Sequence, residues 1–197
     1  MRRQQNDKTK RRRRLWPALA ALLLIAAVLP GQLRRIQERL YPLRYTETVE
    51  RCAAENGVDP LLLYAFIRTE SGFQPDALSD AGARGLMQIT RVTYEWLHRR
   101  LEPENAEDFD VMYQPEQNIR YGSSYVAACL ERYDGDVATV AAAYHSGWGT
   151  VDSLLMKQTD GTRTLHTFPY RNMSNYVYKI CRCYDKYQAL YGDAERS

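Results

Sequence analysis

Seven consecutive apolar side chains, Leu61-Leu62-Leu63-Tyr64-Ala65-Phe66-Ile67, follow the pair Asp59-Pro60, and no other feature constrains the fold as much. Asp is a good helix N-cap, and Pro is favoured at the first helical position. A helix that is apolar on every face cannot lie on a surface. The rest of the chain has to be wrapped around it. The helix runs on into Arg68-Thr69-Glu70-Ser71 and stops at Gly72. A carboxylate at the end of a buried helix meets two penalties, desolvation and the negative end of the helix dipole. Both keep its proton on, which is the state a general acid needs near neutral pH. From position alone, an ordinary surface Glu on a fraying last turn stays open as the alternative.

The wrapping elements also read as helices. A first helix over 45–56 ends at Asn56-Gly57, a C-terminal stop. Further helices are predicted over about 91–101, 115–133, 136–145 and 174–190, with starts at Thr90, Gln114-Pro115, Asp136 and Ser174, and a short one near 149–157. Residues 72–85 hold three Gly, two Asp, a Ser and a Pro, so they read as an ordered loop, and 158–173 as a second one. No β-alternation and no internal repeat stands out, so the fold class is all-α.

Charge is uneven along the chain. Residues 1–14 carry eight Lys or Arg against one Asp, a local +7, so a formal net charge of +3 leaves −4 on the rest. A mildly acidic body gives no reason to expect nucleic-acid binding. The basic stretch is followed by sixteen uncharged residues, Leu15 to Pro30. That is shorter than the roughly 20 residues of a comfortable span, yet within reach with interfacial flanks. A cleaved signal peptide and an uncleaved anchor both fit. The anchor is favoured because no small-x-small cleavage site is obvious after Ala26-Ala27. The excess of cations before the segment keeps the N-terminus in the cytoplasm, making a single-pass protein of the cytoplasmic membrane with its body outside. The expected layout is therefore a basic tail (1–14), an anchor or signal segment (15–30), a connector (31–44) broken by Pro42, a main domain (45–190) and a short tail (191–197). The four cysteines, Cys52, Cys129, Cys181 and Cys183, match no metal-ligand spacing. Outside the cytoplasm, a bond from Cys52 to Cys181 or Cys183 is conceivable; buried free thiols fit equally.

Five blocks stand in order: Glu70-Ser71-Gly72-Phe73, then Gly85-Leu86-Met87-Gln88, then Asn118-Ile119-Arg120-Tyr121-Gly122, then Ala143-Tyr144-His145-Ser146-Gly147, and finally Asn175-Tyr176-Val177. This set resembles the lytic transglycosylase family, in its soluble-lytic-transglycosylase-like domain with a goose-type-lysozyme-like fold. The resemblance spans about 45–190. It implies that Glu70 is the single catalytic acid and base, and that Ser71 fixes the turn after it. It implies that Met87 and Gln88 line a glycan cleft, that the Tyr144 hydroxyl lies close to the acid, and that Tyr176 faces the same site. Taken without the motif, Met87 could fill core space and either tyrosine could be an ordinary half-buried aromatic. His145 departs from the pattern, which has Asn there in contact with substrate; Thr90-Arg91 departs from it in a smaller way.

The reaction the resemblance implies is cleavage of the β-1,4 bond between N-acetylmuramic acid and N-acetylglucosamine in peptidoglycan, leaving 1,6-anhydromuramoyl ends. It requires no metal and no organic cofactor. Glycosidases usually employ two carboxyls, and the blocks offer one; Asp76 and Asp80 in the nearby loop are the candidates for a second. Two further readings stand beside it: a hydrolase on the same fold, and a non-catalytic glycan-binding module, against which an acid in a dry pocket argues. The expected partners are glycan strands and, through residues 15–30, the membrane; the sequence points to no particular protein partner.

Overall fold

The computed structural model describes residues 22, 24–104 and 108–192. Contacts divide the chain into two units, residues 1–42 and 43–197. In the first, residues 24–40 form a helix, α1, whose apolar side chains, among them Ile25, Leu29, Leu33, Ile36 and Leu40, are exposed. The expected connector is thus helical as far as residue 40 and irregular at 42–44, where Pro42 cannot supply a backbone donor. Much of the expected membrane segment, 15–21 and residue 23, lies outside the described residues. Among the described ones, no helix is long and apolar enough to cross a membrane.

The second unit is all-helical. Its elements are α2 (Thr46–Asn56), α3 (Pro60–Glu70), α4 (Arg91–Leu101), a 3-10 helix (Phe109–Tyr113), α5 (Pro115–Arg132), α6 (Val137–Ser146), α7 (Trp148–Leu155) and α8 (Arg171–Tyr191). The only β geometry among the described residues is a pair of isolated bridges, Leu78 with Arg84 and Arg84 with Ile89, inside the loop after α3.

Local chemistry sets the helix ends. The Asp59 carboxylate accepts the Leu61 N–H at 2.8 Å, with Pro60 as the first helical residue. Thr90 caps α4 through the Thr93 N–H (3.3 Å) and Asp136 caps α6 through the Thr139 N–H (2.8 Å). Each such cap is worth about 1 kcal/mol. α8 starts at Arg171, ahead of the expected Ser174, and no side chain caps it. The five-residue 3-10 helix was not expected; it is too short to show a period, and Asp108 nucleates it by accepting the Asp110 N–H.

All seven apolar residues of α3 are 0–3 % exposed. α3 packs chiefly on α8, α6 also lies on α8, and α2 lies on α5. Removing one such buried side chain, as in Leu63→Ala, costs about 2–5 kcal/mol, a large share of a domain's net stability. Cys52 and Cys129 are fully buried and Cys183 nearly so; all four cysteines are free thiols, so Cys52 is bonded to neither Cys181 nor Cys183.

Candidate active site

Glu70 is the last residue of α3, and the helix stays buried up to three residues before it. Burial lifts its carboxyl from an ordinary 4.5 to about 7. One interaction pulls the other way: the Tyr176 hydroxyl, from the second turn of α8, donates to Oε1. The group is therefore poised to hold or release a proton near neutrality. The Tyr176 phenol itself titrates far above its usual range because it is shielded from water and faces the Glu70 charge.

The remaining candidates fall into two sets. His145, exposed on the last turn of α6, lays its ring on the Tyr176 ring, with centroids 4.7 Å apart and planes 15° apart. Partial burial, and then the charge of Lys179, lower its pKa below 6.5, so the ring is neutral at pH 7. Tyr144, one residue earlier, lies close enough to Glu70 for that charge to raise its pKa further above the level burial sets. Its hydroxyl, however, donates to the Met87 carbonyl at 2.7 Å. Its ring packs on Phe66 of α3 (4.7 Å) and on Tyr125 of α5 (5.2 Å).

Ser71, Met87 and Gln88 make up the second set, and all three are engaged in folding the loop over 72–90. Ser71 Oγ donates to the Leu86 carbonyl at 2.8 Å and accepts the Gln74 N–H at 3.2 Å, tying the end of α3 to the far side of the loop. The Gln88 amide donates to the carbonyls of Ala77 (3.1 Å) and Gly85 (2.9 Å), on a residue whose φ is +50°. The Met87 side chain is fully buried. Its sulfur lies so close over Gly122 that a Cβ there would overlap it. What Met87 offers its neighbours is backbone: its carbonyl holds Tyr144 and its N–H reaches Asn118. Asp76 and Asp80 are both exposed on the loop.

Two groups of residues were not picked out from the sequence. Asn118 is fully buried; its Oδ1 accepts the Met87 N–H at 2.7 Å, and its Nδ2 donates to the carbonyls of Arg84 and Met112, both at 2.8 Å. It stands in one of the motif blocks, and a buried amide with this many bonds serves to hold backbone. The other group, Thr93, Trp96 and Arg99 of α4 with Tyr125 and Trp148, joins Thr90 and the expected Tyr144 and His145 in lining a cavity of ≈ 500 Å³. Trp96 meets Trp148 edge-on at 5.0 Å, and Trp148 stacks on Tyr125 at 5.9 Å. Through Tyr144 and His145 the cavity reaches the immediate neighbours of the acid.

An acid at a buried helix end, a hydrogen-bonded tyrosine and an aromatic cavity beside them all lie within one helical unit. Residues 47–166 of it, more than half of the chain, match the family described as the transglycosylase SLT domain. The chain belongs to the transglycosylase SLT domain family. It is 26% identical over 184 residues to the soluble lytic murein transglycosylase of Salmonella typhimurium, covering 88% of this chain and 28% of that protein. It is 37% identical over 112 residues to the transglycosylase of Enterobacteria phage PRD1, covering 54% and 38%. It is 35% identical over 126 residues to a membrane-bound lytic murein transglycosylase F of Desulfosudis oleivorans, covering 60% and 26%. The chain therefore spans between about a quarter and two fifths of the length of these relatives. In fold it is similar to the 70 kDa soluble lytic transglycosylase of Escherichia coli (TM-score 0.73, 24% identity, 85% of this chain and 28% of that one). It is likewise similar to an inactive mutant of the lytic transglycosylase Slt from Pseudomonas aeruginosa (TM-score 0.67, 26% identity, 76% and 24%). The SLT match holds Glu70, Ser71, Met87, Gln88, Tyr144 and His145 but stops before Tyr176.

Proposed function

We propose that this SLT domain is a peptidoglycan lytic transglycosylase, with Glu70 as acid and then base. The observation that carries the reading is a carboxyl held near pKa 7 by burial and bonded to the Tyr176 hydroxyl, on whose ring the cavity-lining His145 stacks. Relatives named lytic murein transglycosylases support the substrate class. Glu70 protonates the glycosidic oxygen between N-acetylmuramic acid and N-acetylglucosamine, and the C1–O bond breaks. The neighbouring acetamido group stabilises the charge that develops at C1. The carboxylate so formed, held by the Tyr176 hydroxyl, takes the proton of the muramoyl C6 hydroxyl as that oxygen closes on C1, giving the 1,6-anhydro ring. An internal nucleophile supplies by proximity what a second carboxyl would otherwise do by activating water. Tyr144 keeps the Met87 backbone beside the acid, and Met87 and Gln88 shape the loop wall against which the strand lies. His145 meets substrate from the rim.

The domain works at the outer face of the cytoplasmic membrane, held by residues 15–30 with the basic tail inside. The uncharged segment next to eight cations supports this placement, as do relatives named membrane-bound. Digesting purified peptidoglycan with the full chain and weighing the products by mass spectrometry tests the chemistry. Anhydro ends are expected; reducing ends would replace the reading by a hydrolase, and no fragments at all would remove it.

A further inference from the structure

α1 carries an apolar stripe that no described residue covers. Leu29, Leu33, Ile36 and Leu40 stand at i, i+4, i+7 and i+11, one side of the helix, and each is 50–55% exposed. Ahead of residue 30 the helix is apolar on every side, with Leu24, Ile25 and Val28 exposed as well. Beyond residue 30 it becomes two-sided. Arg34 and Arg39 flank the stripe on either side, and Arg35 and Glu38 fall opposite it. The one acid, Glu38, pairs with Arg34 at 2.9 Å. Residues 31–44 hold four Arg and one Glu, a local +3. Taken from the −4 beyond residue 14, that leaves −7 on residues 45–197, so the basic stretch stands out against an acidic body.

We propose that residues 29–40 of α1 lie along a lipid surface with anionic headgroups, the stripe at the acyl boundary and the arginines among the phosphates. The proposal rests on the membrane placement above and not on the glycan chemistry. A helix whose apolar side is bordered by cations is the form that seats in the interfacial layer. Arg34 and Arg39 can bury their methylenes beside the stripe and carry their charge up to the headgroups. Charge decides between occupants. A second copy on the same stripe would bring two +3 stretches side by side, whereas anionic headgroups complement them. The change from all-round to one-sided apolarity is what a helix leaving hydrocarbon at a slant requires, wrapped by lipid first and then touched along one side. The same contact accounts for four arginines on the outer side, where the positive-inside tendency disfavours them.

The test reconstitutes the full chain in vesicles of phosphatidylcholine, alone or mixed with phosphatidylglycerol, and follows amide hydrogen exchange over residues 31–40. A helix of this length is marginal in water, so slow exchange reports seating on lipid. Exchange is expected to be about 30-fold slower on the mixed vesicles, the effect of the two cations left once Glu38 offsets one. High salt should erase that gain. In Arg34→Gln/Arg35→Gln/Arg39→Gln the two vesicles should become alike, and in Leu33→Ser/Ile36→Ser exchange should be fast on both. The main thermal transition of both variants should match wild type, since neither change falls within residues 43–197. Arginine variants that keep the difference overturn the proposal. Protection that fades as the protein is diluted in lipid also overturns it, and assigns the stripe to a second copy. A full chain that floats with neither vesicle overturns the membrane placement as well; one that floats with both and exchanges equally overturns the proposal alone.

Discussion

The two walls around Glu70 come from motif blocks of similar sharpness, yet they do different work. On the helical wall, Tyr176 touches the carboxyl and His145 stacks on Tyr176. On the loop wall, Ser71 and Gln88 bond to backbone and the Met87 side chain is buried. One wall tunes the acid and the other holds a surface in place. A short motif therefore marks where a site is without saying which atoms of each residue serve it. Changes on the helical wall should move rate and pH profile; changes on the loop wall should move melting temperature first.

The largest effect belongs to the acid that the two walls share. Glu70→Gln should lower release of anhydro ends about 10²- to 10⁴-fold, the range of a lost general acid and base. It should also be more stable than wild type at high pH. The folded carboxyl titrates at about 7 and an unfolded one at 4.5, so the native state binds the proton more tightly. The wild type then loses stability as pH rises from 4.5 through 7 and carries no penalty below 4.5. Thermal melts should show Glu70→Gln ahead by about 2–3 kcal/mol at pH 8 and level with wild type at pH 4. A variant that kept its activity would remove Glu70 from the chemistry; one without the pH-dependent gain would mean that the carboxyl is not buried.

The loop wall should break differently. Asn118→Ala removes three hydrogen bonds at a fully buried site, and leaving such groups unsatisfied costs about 3 kcal/mol or more. Its melting temperature should fall by about 10 °C or more, with KM and kcat degrading together as the loop loosens. Gln88→Ala should cost less, about 1–3 kcal/mol. Gln88→Gly loses the same two bonds but accepts φ +50° without strain, and so should melt above Gln88→Ala. Equal melting of the two would mean that the left-handed backbone is not a significant part of the loop's energy.

Much of this arrangement was legible in the sequence, for identifiable reasons. The α3 run with Asp59-Pro60 at its head and Gly72 at its tail is a complete local instruction, and Glu70 inherits its environment from it. Caps at Thr90 and Asp136 placed α4 and α6 within a residue. Legibility ended where tertiary contact decides. α4 reads as an ordinary amphipathic helix until Trp96 meets Trp148 of α7, and only that contact makes Glu95 and Arg99 neighbours of a cavity. Met87 was read as lining a cleft because its block adjoins the acid in the resemblance; Gly122, on another helix, is what admits its side chain into the core. The left-handed Gln88 and the three bonds of Asn118 likewise depend on partners that no periodicity reveals.

Tyr176→Phe tests the tuning on the helical wall. The hydroxyl holds the Glu70 pKa down against burial, so its loss should move the alkaline limb of the pH–rate profile to higher pH. The same change should lower kcat about tenfold, since the carboxyl also loses an orienting bond worth about 1–2 kcal/mol. A limb that stayed in place would mean that the bond in the resting protein does not persist when substrate is bound.

His145 should give the smallest effect, and its variants show what the stack contributes. A ring pair of this kind is worth about 0.5–1.5 kcal/mol, so His145→Ala, which frees Tyr176 to rotate, should lose about two- to tenfold in kcat. His145→Phe keeps a flat ring 4.7 Å from Tyr176 and should retain most of the rate if stacking alone matters. The imidazole adds charge only on the acid side, because burial and Lys179 hold its pKa below 6.5. In that range Glu70 is already protonated, so the rate of wild type and of His145→Phe should part only slightly below pH 6. A large separation above pH 7 would show that the ring donates or accepts a hydrogen bond to substrate while neutral, and would move His145 from holding Tyr176 to reading the glycan.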